Sequence, residues 1–384
     1  MKKIIIVNNN MKIGGVQKSL CNLLWTIKDQ YDVTLYLFDD SGSYELPPNV
    51  KVQRCEGAFR YFGISHGQCK GMEKYKRGVL RLICRLFSRP TAVRLMLLGQ
   101  RKLKTQYDCA IAYLQNGNIH NLYGGVQDFV LHCVKATKKV AFLHCDYEKS
   151  GANEPRNNRL YEKFDAVAAC SDGCRRSFEK TLPQYGEKCR TVRNCHRFDE
   201  IRRLSVKESV EYSENRRNVL MVTRLAHEKG IERALAAVKC VKERGIDISL
   251  HIVGSGAMQA QMHALARDLK IEDAVIFYGE QSNPYRFMPN AELLLMTSFY
   301  EAAPMVIEEA LSLGLPVLTT QTTSAQEMIG QNGWICENSQ EAINDALYRV
   351  LKNREELKAM RKKLIEKTAD NDLAVGQFET LLEN

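Results

Sequence analysis

The sequence predicts an α/β protein made of two doubly wound, Rossmann-like domains, each built on a parallel sheet. A chain of 384 residues is longer than one hydrophobic core usually organises. Short apolar runs, typical of strands covered on both faces, alternate with segments whose apolar residues have helical spacing. This alternation stops once, at residues 196–216, and then begins again, which indicates two domains.

The first domain is predicted over residues 1–195. It opens with an apolar strand at 3–7, a turn containing Gly14 and Gly15, and a helix at 16–27. Further strands are predicted at 33–38, 109–113, 139–143, 166–169 and 188–192. The charged, serine-containing stretch 196–216 is interpreted as a linker.

The second domain is predicted over residues 217–370, where strands and helices alternate again. The predicted strands are 219–222, 248–253, 274–278, 293–296 and 316–319, and the predicted helices are 231–244, 257–269 and 305–313. The amphipathic tail 341–382 has a break near 370–372, so residues 371–384 are predicted to form a C-terminal helix. One hypothesis is that this helix crosses back to the first domain.

Composition excludes several classes of protein. The thirteen cysteines lie singly along the chain without the spacing of a zinc site, which favours free thiols in a reducing compartment. The first apolar run ends at Asn8, too early for a signal peptide, and no stretch approaches the roughly 20 apolar residues of a membrane span. We therefore expect a cytoplasmic protein.

The net charge of +10 is concentrated in one segment. Residues 54–104, an expected insert in the first domain, contain 13 Lys and Arg but only two acids, Glu56 and Glu73. Within it, Arg residues recur every fourth position beside apolar ones, which predicts a charged stripe on a helix; they are Arg77, Arg81, Arg85 and Arg89. Such a helix favours docking of residues 74–104 on an anionic membrane surface, or else a solvated face over a packed helix. No recognition motif accompanies the charge, so nucleic acid is not expected as a partner.

Two cations follow the first predicted strand of the second domain. Arg224 and Lys229 lie where open α/β sheets bind ligands, at the carboxyl end of a strand. Together they would neutralise a diphosphate without a metal; taken alone, the pattern also fits solvated loop cations. Gly254 follows the next strand, where a glycine makes a turn or lets the backbone approach a ligand.

The segment 298–309 carries an expected anion site. Pro304 suits the first position of a helix. The amides of Met305 and Val306 would then be unpaired donors at the positive helix end.

Two acids bracket that helix start. Glu301 lies before the helix and Glu309 more than a turn into it, so their carboxylates would be on the order of 10 Å apart. That separation suits one acid on a sugar hydroxyl and one on a ribose. Glu308 is a rival on another helix face, and an alternative is that both acids are exposed helix charges.

Taken in order, these features resemble the family 4 retaining glycosyltransferases, which have the GT-B fold: two Rossmann-like domains facing a central cleft. The resemblance covers nearly the whole chain apart from residues 54–104. It includes the cation pair, the Gly254-Ser255-Gly256 turn and the Glu-x7-Glu element in the second domain, and in the first domain the loop 14–20, the segment 143–147 and Asn194.

The resemblance implies a role for each candidate residue. Arg224 and Lys229 would bind the donor diphosphate, with the amide of Gly15 contributed from across the cleft. Glu301 would hold the hydroxyls of the transferred sugar, Glu309 the ribose, and His144 would lie beside the sugar at the reacting face. The remaining donor-binding candidates are Gly254, Ala303, Met305 and Val306, and Asp146 is a candidate on the acceptor side.

The sequence departs from the family pattern at two places. Ala302 stands where the family usually has Gly, and Thr322-Thr323-Ser324 replace a frequent Gly pair. Backbone amides and hydroxyls still donate to phosphate from these residues. The departures therefore bear on which donor is bound more than on whether one is bound.

The function implied by the resemblance is retaining transfer of a hexose or N-acetylhexosamine from a nucleotide-diphosphate sugar. A UDP-sugar is the first expectation, and the acceptor would be a saccharide or lipid-linked glycan of surface polysaccharide. No metal or other cofactor is expected, since Asp370-Asn371-Asp372, which has the letters of a metal-binding DxD motif, lies in the helical tail. The expected location is the cytoplasm, including the inner face of the cell membrane.

Three other functions are alternatives for a chain with this pattern. A nicotinamide dehydrogenase requires G-x-G-x-x-G after the first strand, and residues 8–20 lack it. Other GT-B enzymes, such as epimerases and phosphorylases, share the architecture. A catalytically silent GT-B subunit that binds a partner glycosyltransferase or a membrane lipid is the main alternative.

Overall fold

The structure of the protein, a computed structural model, describes residues 1–64 and 66–383 and divides into two compact units. The first unit comprises Met1–Cys195 together with Asn371–Asn384, and the second comprises His196–Asp370. In the described ranges, no helix is long and apolar enough to cross a lipid bilayer. All thirteen cysteines are free thiols.

Strands and helices alternate through both units. Up to residue 195 they are β1 (Lys3–Asn8), α1 (Gly15–Ile27), β2 (Asp32–Leu37), β3 (Lys51–Arg54), α2 (Arg60–Gly63), α3 (Gly71–Leu86), α4 (Arg89–Leu98), β4 (Gln106–Ala112), α5 (Val126–Cys133), β5 (Lys135–Leu143), α6 (Pro155–Asn158), β6 (Ala166–Ala169), α7 (Asp172–Thr181) and β7 (Cys189–Thr191). After it they are α8 (Phe198–Ser205), β8 (Arg217–Val222), α9 (Ile231–Glu243), β9 (Ile248–Val253), α10 (Gln259–Asp268), β10 (Val275–Gly279), β11 (Leu293–Met296), α11 (Met305–Ser312), β12 (Val317–Thr320), α12 (Ala325–Ile329), β13 (Gly333–Cys336), α13 (Gln340–Lys352), α14 (Arg354–Ile365) and α15 (Asp372–Glu383).

The first unit is built on a seven-stranded parallel sheet in the order β3-β2-β1-β4-β5-β6-β7. The interior strand β1 carries Ile4, Ile5, Ile6 and Val7, all fully buried, because helices cover both faces of a parallel sheet. Every strand predicted for this domain is present, with ends shifted by at most four residues. The additional edge strand β3 has four exposed side chains, so no apolar run marks it in the sequence.

The C-terminal helix α15 packs into the core of the first unit. Phe378 is fully buried there with Ala374, Leu381 and Leu382, and its ring meets that of Tyr31 edge to face at 6.1 Å. Polar contacts fix the helix as well. Lys138 Nζ donates to the Leu381 carbonyl at 2.5 Å, and the Arg193 amide donates to Gln377 Oε1 at 3.0 Å.

The second unit is built on a six-stranded parallel sheet in the order β10-β9-β8-β11-β12-β13. The five predicted strands and three predicted helices are present; β13 and the short α12 were not predicted. Residues 196–216 are more than a bare linker, because they contain α8. Phe198 and Ile201 of this helix are buried in the core of the second unit with Phe287 and Met288.

The predicted stripe of four arginines is wrong. Helix α3 ends at Leu86, and Arg89 begins the separate helix α4, where it is fully buried. Its guanidinium donates to the Gly117 carbonyl at 3.0 Å and also to Asn157 Oδ1. Arg77 Nε donates to the Ile64 carbonyl at 3.0 Å, so two of the four arginines stabilise the fold of the first unit.

Candidate functional site

The candidate donor site lies at the carboxyl edge of the second sheet. There the loop after β8 and the loop after β11 come together, because these two strands are neighbours in the sheet. Thr297 Oγ1 donates to the Gly230 carbonyl at 2.7 Å, and the Phe299 amide donates to the Glu228 carbonyl at 2.9 Å. These bonds hold the two loops that carry the predicted cations and the first predicted acid.

Lys229 and Glu301 form an ion pair at the centre of this site. Lys229 Nζ lies 2.7 Å from Glu301 Oε1, and Ser298 Oγ donates to the same oxygen at 2.7 Å. Glu301 is buried and Lys229 is largely covered. Sequence reasoning named both members of the pair but missed Ser298, whose hydroxyl fixes the carboxylate from within its own loop.

Arg224 has a different environment. Its side chain is 69% exposed, and Nη2 donates to Glu228 Oε1 at 2.5 Å. Burial raises the pKa of Glu228, but its own backbone amide and the Arg224 guanidinium outweigh that effect and hold the pKa below its usual value. The structure therefore sets one carboxylate against each predicted cation: both members of the Lys229–Glu301 pair are largely covered, whereas Arg224 is exposed and its partner Glu228 is mostly covered.

Phe299, in the loop after β11, stacks on His227 and lies below the guanidinium of Arg233. The rings of His227 and Phe299 stack at 5.2 Å with an interplanar angle of 11°. The guanidinium of Arg233 lies over the Phe299 ring, 4.6 Å from its centroid. Neither His227 nor Phe299 was a predicted site residue. The two rings belong to separate loops, so no pattern within a single stretch of the sequence indicates that they stack.

The glycine turn after β9 is required by packing. Gly254 has φ +136°, and a Cβ there would overlap the carbonyl oxygen of Thr223. Its amide donates to the Gly279 carbonyl at 2.8 Å. Gly256 is similarly close to the backbone of Leu225. The approach of two loops thus explains this turn, and a donor-binding role for Gly254 stays a prediction.

Helix α11 begins at Met305, the predicted first residue of this helix. Pro304 is its N-cap rather than its first helical residue, and Met305 and Val306 occupy the first two positions, whose amides have no preceding turn to bond. Glu309 is buried, whereas Glu308 is partly exposed. Because Glu301 is also buried, the alternative that both acids are exposed helix charges is wrong.

In the first unit, Gly15 begins α1 and Gly14 is its N-cap. Apart from its chain neighbours and the backbone of its own helix, a Cβ at Gly15 would meet no atom of the described residues within 4 Å. Packing within the chain therefore does not require a glycine at this position. Ser19, further along the same helix, donates to Asn194 Oδ1 at 2.6 Å and lies 2.8 Å from the Tyr113 hydroxyl, so it joins the loop 14–20 to Asn194 of the family pattern.

His144 directly follows β5. Its amide donates to Gln115 Oε1 at 3.1 Å, and its ring lies 4.7 Å from the ring of Tyr113. Burial lowers the pKa of His144 to about 4, against a smaller opposing effect from a backbone hydrogen bond with Tyr113. Nε2 is buried and has no hydrogen-bond partner among the described residues. The imidazole is consequently neutral at physiological pH.

Asp146 is bound within the first unit. Ser177 Oγ donates to Asp146 Oδ1 at 2.6 Å, and the Asp146 carbonyl accepts from the amides of Lys149 and Ser150 at 3.2 and 2.9 Å. These contacts fasten the loop after β5 to α7, and the acceptor-side role stays a prediction. Within the described part of the chain, no group of three or more His, Cys, Asp or Glu is arranged to hold a metal ion.

Comparison with known proteins matches residues 204–368 to the family described as glycosyl transferases group 1. The N-acetylgalactosamine-N,N'-diacetylbacillosaminyl-diphospho-undecaprenol 4-alpha-N-acetylgalactosaminyltransferase of Campylobacter jejuni is 23% identical over 340 residues, which cover 86% of this chain and 84% of that enzyme. An uncharacterized glycosyltransferase of Methanocaldococcus jannaschii is 26% identical over 168 residues, 42% of this chain and 41% of its own. The N-acetyl-alpha-D-glucosaminyl L-malate synthase of Bacillus anthracis is 27% identical over 183 residues, which cover 46% of this chain and 48% of that enzyme. The chain thus spans less than half the length of the last two relatives.

Solved structures resemble the chain over its whole length. TarM of S. aureus, in complex with Fondaparinux, alpha-GlcNAc-glycerol and UDP, has a TM-score of 0.70 at 14% identity, covering 100% of both chains. Anabaena Alr3699/HepE, in complex with UDP, has a TM-score of 0.66 at 17% identity, covering 99% of both. At these identities the likeness concerns the fold, and it confirms the predicted GT-B fold class.

Proposed function

We propose that this chain, whose residues 204–368 match the group 1 glycosyl transferases, moves a hexose or an N-acetylhexosamine from a nucleotide-diphosphate sugar to a saccharide or lipid-linked acceptor. The reaction serves surface polysaccharide synthesis and retains the anomeric configuration. The observation that carries the proposal is the cluster of Lys229, Glu301 and Ser298, with Arg224 nearby in the same loop and α11 beginning beside it.

The two cations have separate tasks in this proposal. Negative charge grows on the leaving phosphate as the bond to the sugar breaks, and fixed cations stabilise that charge without reorganising. Arg224, whose side chain is exposed, exchanges Glu228 for phosphate oxygens. Lys229 keeps its contact with Glu301, whose carboxylate then accepts a hydrogen bond from a hydroxyl of the transferred sugar.

The start of α11 supplies the neutral donors. The amides of Met305 and Val306 point out of the first helical turn and bind phosphate oxygens, with Ala303 in the preceding loop as a further donor. Glu309, buried in the helix, binds the ribose hydroxyls. With two cations and these amides in place, the transfer proceeds without a metal ion.

Transfer takes place on one face of the sugar. The acceptor hydroxyl oxygen forms the new bond to the anomeric carbon as the bond to the phosphate oxygen breaks, and the hydroxyl proton passes to the leaving phosphate. Because burial holds its pKa near 4, His144 takes part as a neutral imidazole that hydrogen-bonds the sugar.

UDP is the proposed nucleotide, and a lipid-linked glycan the favoured acceptor. The TarM and HepE structures both contain UDP. The Campylobacter relative is named for a glycan linked to diphospho-undecaprenol, which is a lipid. Such an acceptor resides in a membrane, so the enzyme works in the cytoplasm and at the inner face of the cell membrane.

Thermal unfolding with UDP, GDP, ADP or CDP, each with and without EDTA, tests the proposal. UDP is expected to raise the unfolding temperature whether or not the chelator is present. The increase is expected to disappear in Lys229→Ala and to persist in the matched variant Lys242→Ala, whose lysine pairs with Asp273 in the same unit. Absence of stabilisation by every nucleotide would favour the silent-subunit alternative, and loss of stabilisation in EDTA would contradict metal independence.

A further inference from the structure

Helix α3 presents its apolar stripe to solvent. Met72, Tyr75, Val79, Leu82 and Leu86 are each between 39% and 70% exposed. Their spacing of three and four residues places all five on one face of the helix. A surface helix of a soluble protein normally turns such a stripe towards the core. This stripe instead forms an apolar band along the full length of a 16-residue helix.

The opposite face of α3 attaches the helix to the first unit. Cys84 is fully buried, and Arg77 Nε donates to the Ile64 carbonyl at 3.0 Å. Glu73 pairs with Arg60 of α2. These three residues are spaced by four and seven positions, so they share one face, and the apolar stripe is fixed in its outward position.

Cations line the stripe. At about 3.6 residues per turn, Lys74, Arg81 and Arg85 lie along one flank and Lys76 along the other. All four are exposed. Glu73, the one acid in the sequence of α3, is on the inward face with Arg60. The exposed surface of α3 is therefore apolar along its centre and positive at its edges.

We propose that α3 docks the first unit on an anionic lipid bilayer. The helix lies in the plane of the interface, with the stripe at the boundary of the acyl chains and the flanking Lys and Arg extending to lipid phosphates. This inference goes beyond the proposed transfer reaction and does not depend on it.

Charge favours a bilayer over a second copy of the chain as the occupant of this surface. Paired helices with a stripe of this spacing are stabilised when acids on one flank meet bases on the other. The flanks of α3 carry cations alone, so two copies would repel each other along both edges. An anionic surface attracts the same cations, each strengthening binding by roughly fivefold.

Co-sedimentation of the full chain with vesicles tests the inference. We expect binding to vesicles containing phosphatidylglycerol, weaker binding as salt is raised, and little binding to pure phosphatidylcholine. Arg81→Gln/Arg85→Gln is expected to weaken binding by roughly fivefold for each cation removed, and Leu82→Asp by more. Two controls, Arg176→Gln on α7 and Val206→Asp in the second unit, change residues that are also exposed and are expected to bind like the wild type.

Other outcomes would overturn the inference. They are absence of wild-type binding to anionic vesicles, or equal binding by the α3 variants and the controls. A wild-type dimer in light scattering that Leu82→Asp converts to monomer, without vesicle binding, would assign the stripe to a second copy. Since the altered side chains are exposed, unchanged unfolding temperatures will show that the variants are folded. Nucleotide stabilisation, measured separately, distinguishes failure of docking from failure of the proposed function.

Discussion

Lys229 Nζ lies 2.7 Å from Glu301 Oε1, joining the loop after β8 to the loop after β11. The hydroxyl of Ser298 reaches the same carboxylate oxygen at 2.7 Å. Both bonds converge on Oε1, so Oε2 is not needed to hold the pair together. The ion pair can therefore orient Lys229 towards a phosphate group while the Glu301 carboxylate still accepts a hydrogen bond from a sugar hydroxyl.

Replacing Lys229 by Met is expected to lower stability and to abolish nucleotide binding. The change leaves Glu301 buried without its counter-charge, which should reduce the free energy of unfolding by about 1–3 kcal/mol. Adding Glu301→Gln to Lys229→Met should recover most of that stability but no binding. Urea denaturation and calorimetric titration with UDP measure the two effects, and recovery of binding in the double variant would assign the pair a purely structural role.

Arg224→Ala is expected to separate binding from stability. The side chain is 69% exposed and its ion pair lies at the surface, so the free energy of unfolding should change by less than about 1 kcal/mol. A charged hydrogen bond to phosphate contributes about 1.5–3 kcal/mol, which predicts a fall in UDP affinity of roughly 10- to 150-fold. Arg267→Ala, an exposed arginine on α10, is the control. Equal UDP affinities for the two variants would remove Arg224 from the site.

Gly254→Ala is expected to destabilise the second unit severely. Two costs combine there, since φ is +136° and the new Cβ would overlap the carbonyl of Thr223. Gly245 isolates the first cost, because its φ is +85° and a Cβ would have no atom within 4 Å. Gly245→Ala should therefore cost about 1 kcal/mol, and Gly254→Ala at least about 3 kcal/mol. Similar unfolding temperatures for the two variants would show that the loops do not pack as described.

His144 is expected to make the first unit sensitive to acid. Burial lowers its folded pKa to about 4 from an ordinary 6.5, so between these values the unfolded chain binds a proton that the folded chain does not. The free energy of unfolding should consequently fall as pH drops from 6.5 to 4, by up to about 3 kcal/mol from this group. His144→Asn should flatten that dependence in pH-dependent urea denaturation. His251, lowered to about 4 by burial in the second unit, remains as an internal comparison.

The same property predicts the pH profile of activity. A neutral His144 does not titrate near pH 6.5, so kcat/KM should show no inflection there that depends on this residue. An inflection near pH 6.5 in the wild type that is absent in His144→Asn would contradict the structure.

The sheets could be predicted from the sequence because most buried strands contain a run of apolar residues, which at β1 is continuous. The arginine stripe could not, because its four-residue spacing continues across the end of α3. Arg89 is buried where its acceptors, Gly117 and Asn157, are 28 and 68 residues away in the chain. Such partners are visible only once the tertiary fold is known.

The candidate site also contains some residues that could be predicted from the sequence and others that could not. Lys229 and Glu301 each follow a strand of one parallel sheet, so they could be assigned to the same edge from the sequence; that β8 and β11 are neighbours is seen only in the structure. The partners Ser298 and Glu228 were missed, since they depend on side-chain directions within those loops. Gly254 was named for ligand approach, whereas its nearest neighbour is the chain's own backbone at Thr223.

The position of α15 has a consequence for synthesis of the protein. Phe378 is fully buried in the first unit but lies almost at the end of the chain. A ribosome has therefore translated every residue of the second unit before it adds the last piece of the first unit's core. Domains usually mature from the N-terminus onwards during translation. Here the unit that contains residues 1–195 is completed only after the second unit has been translated.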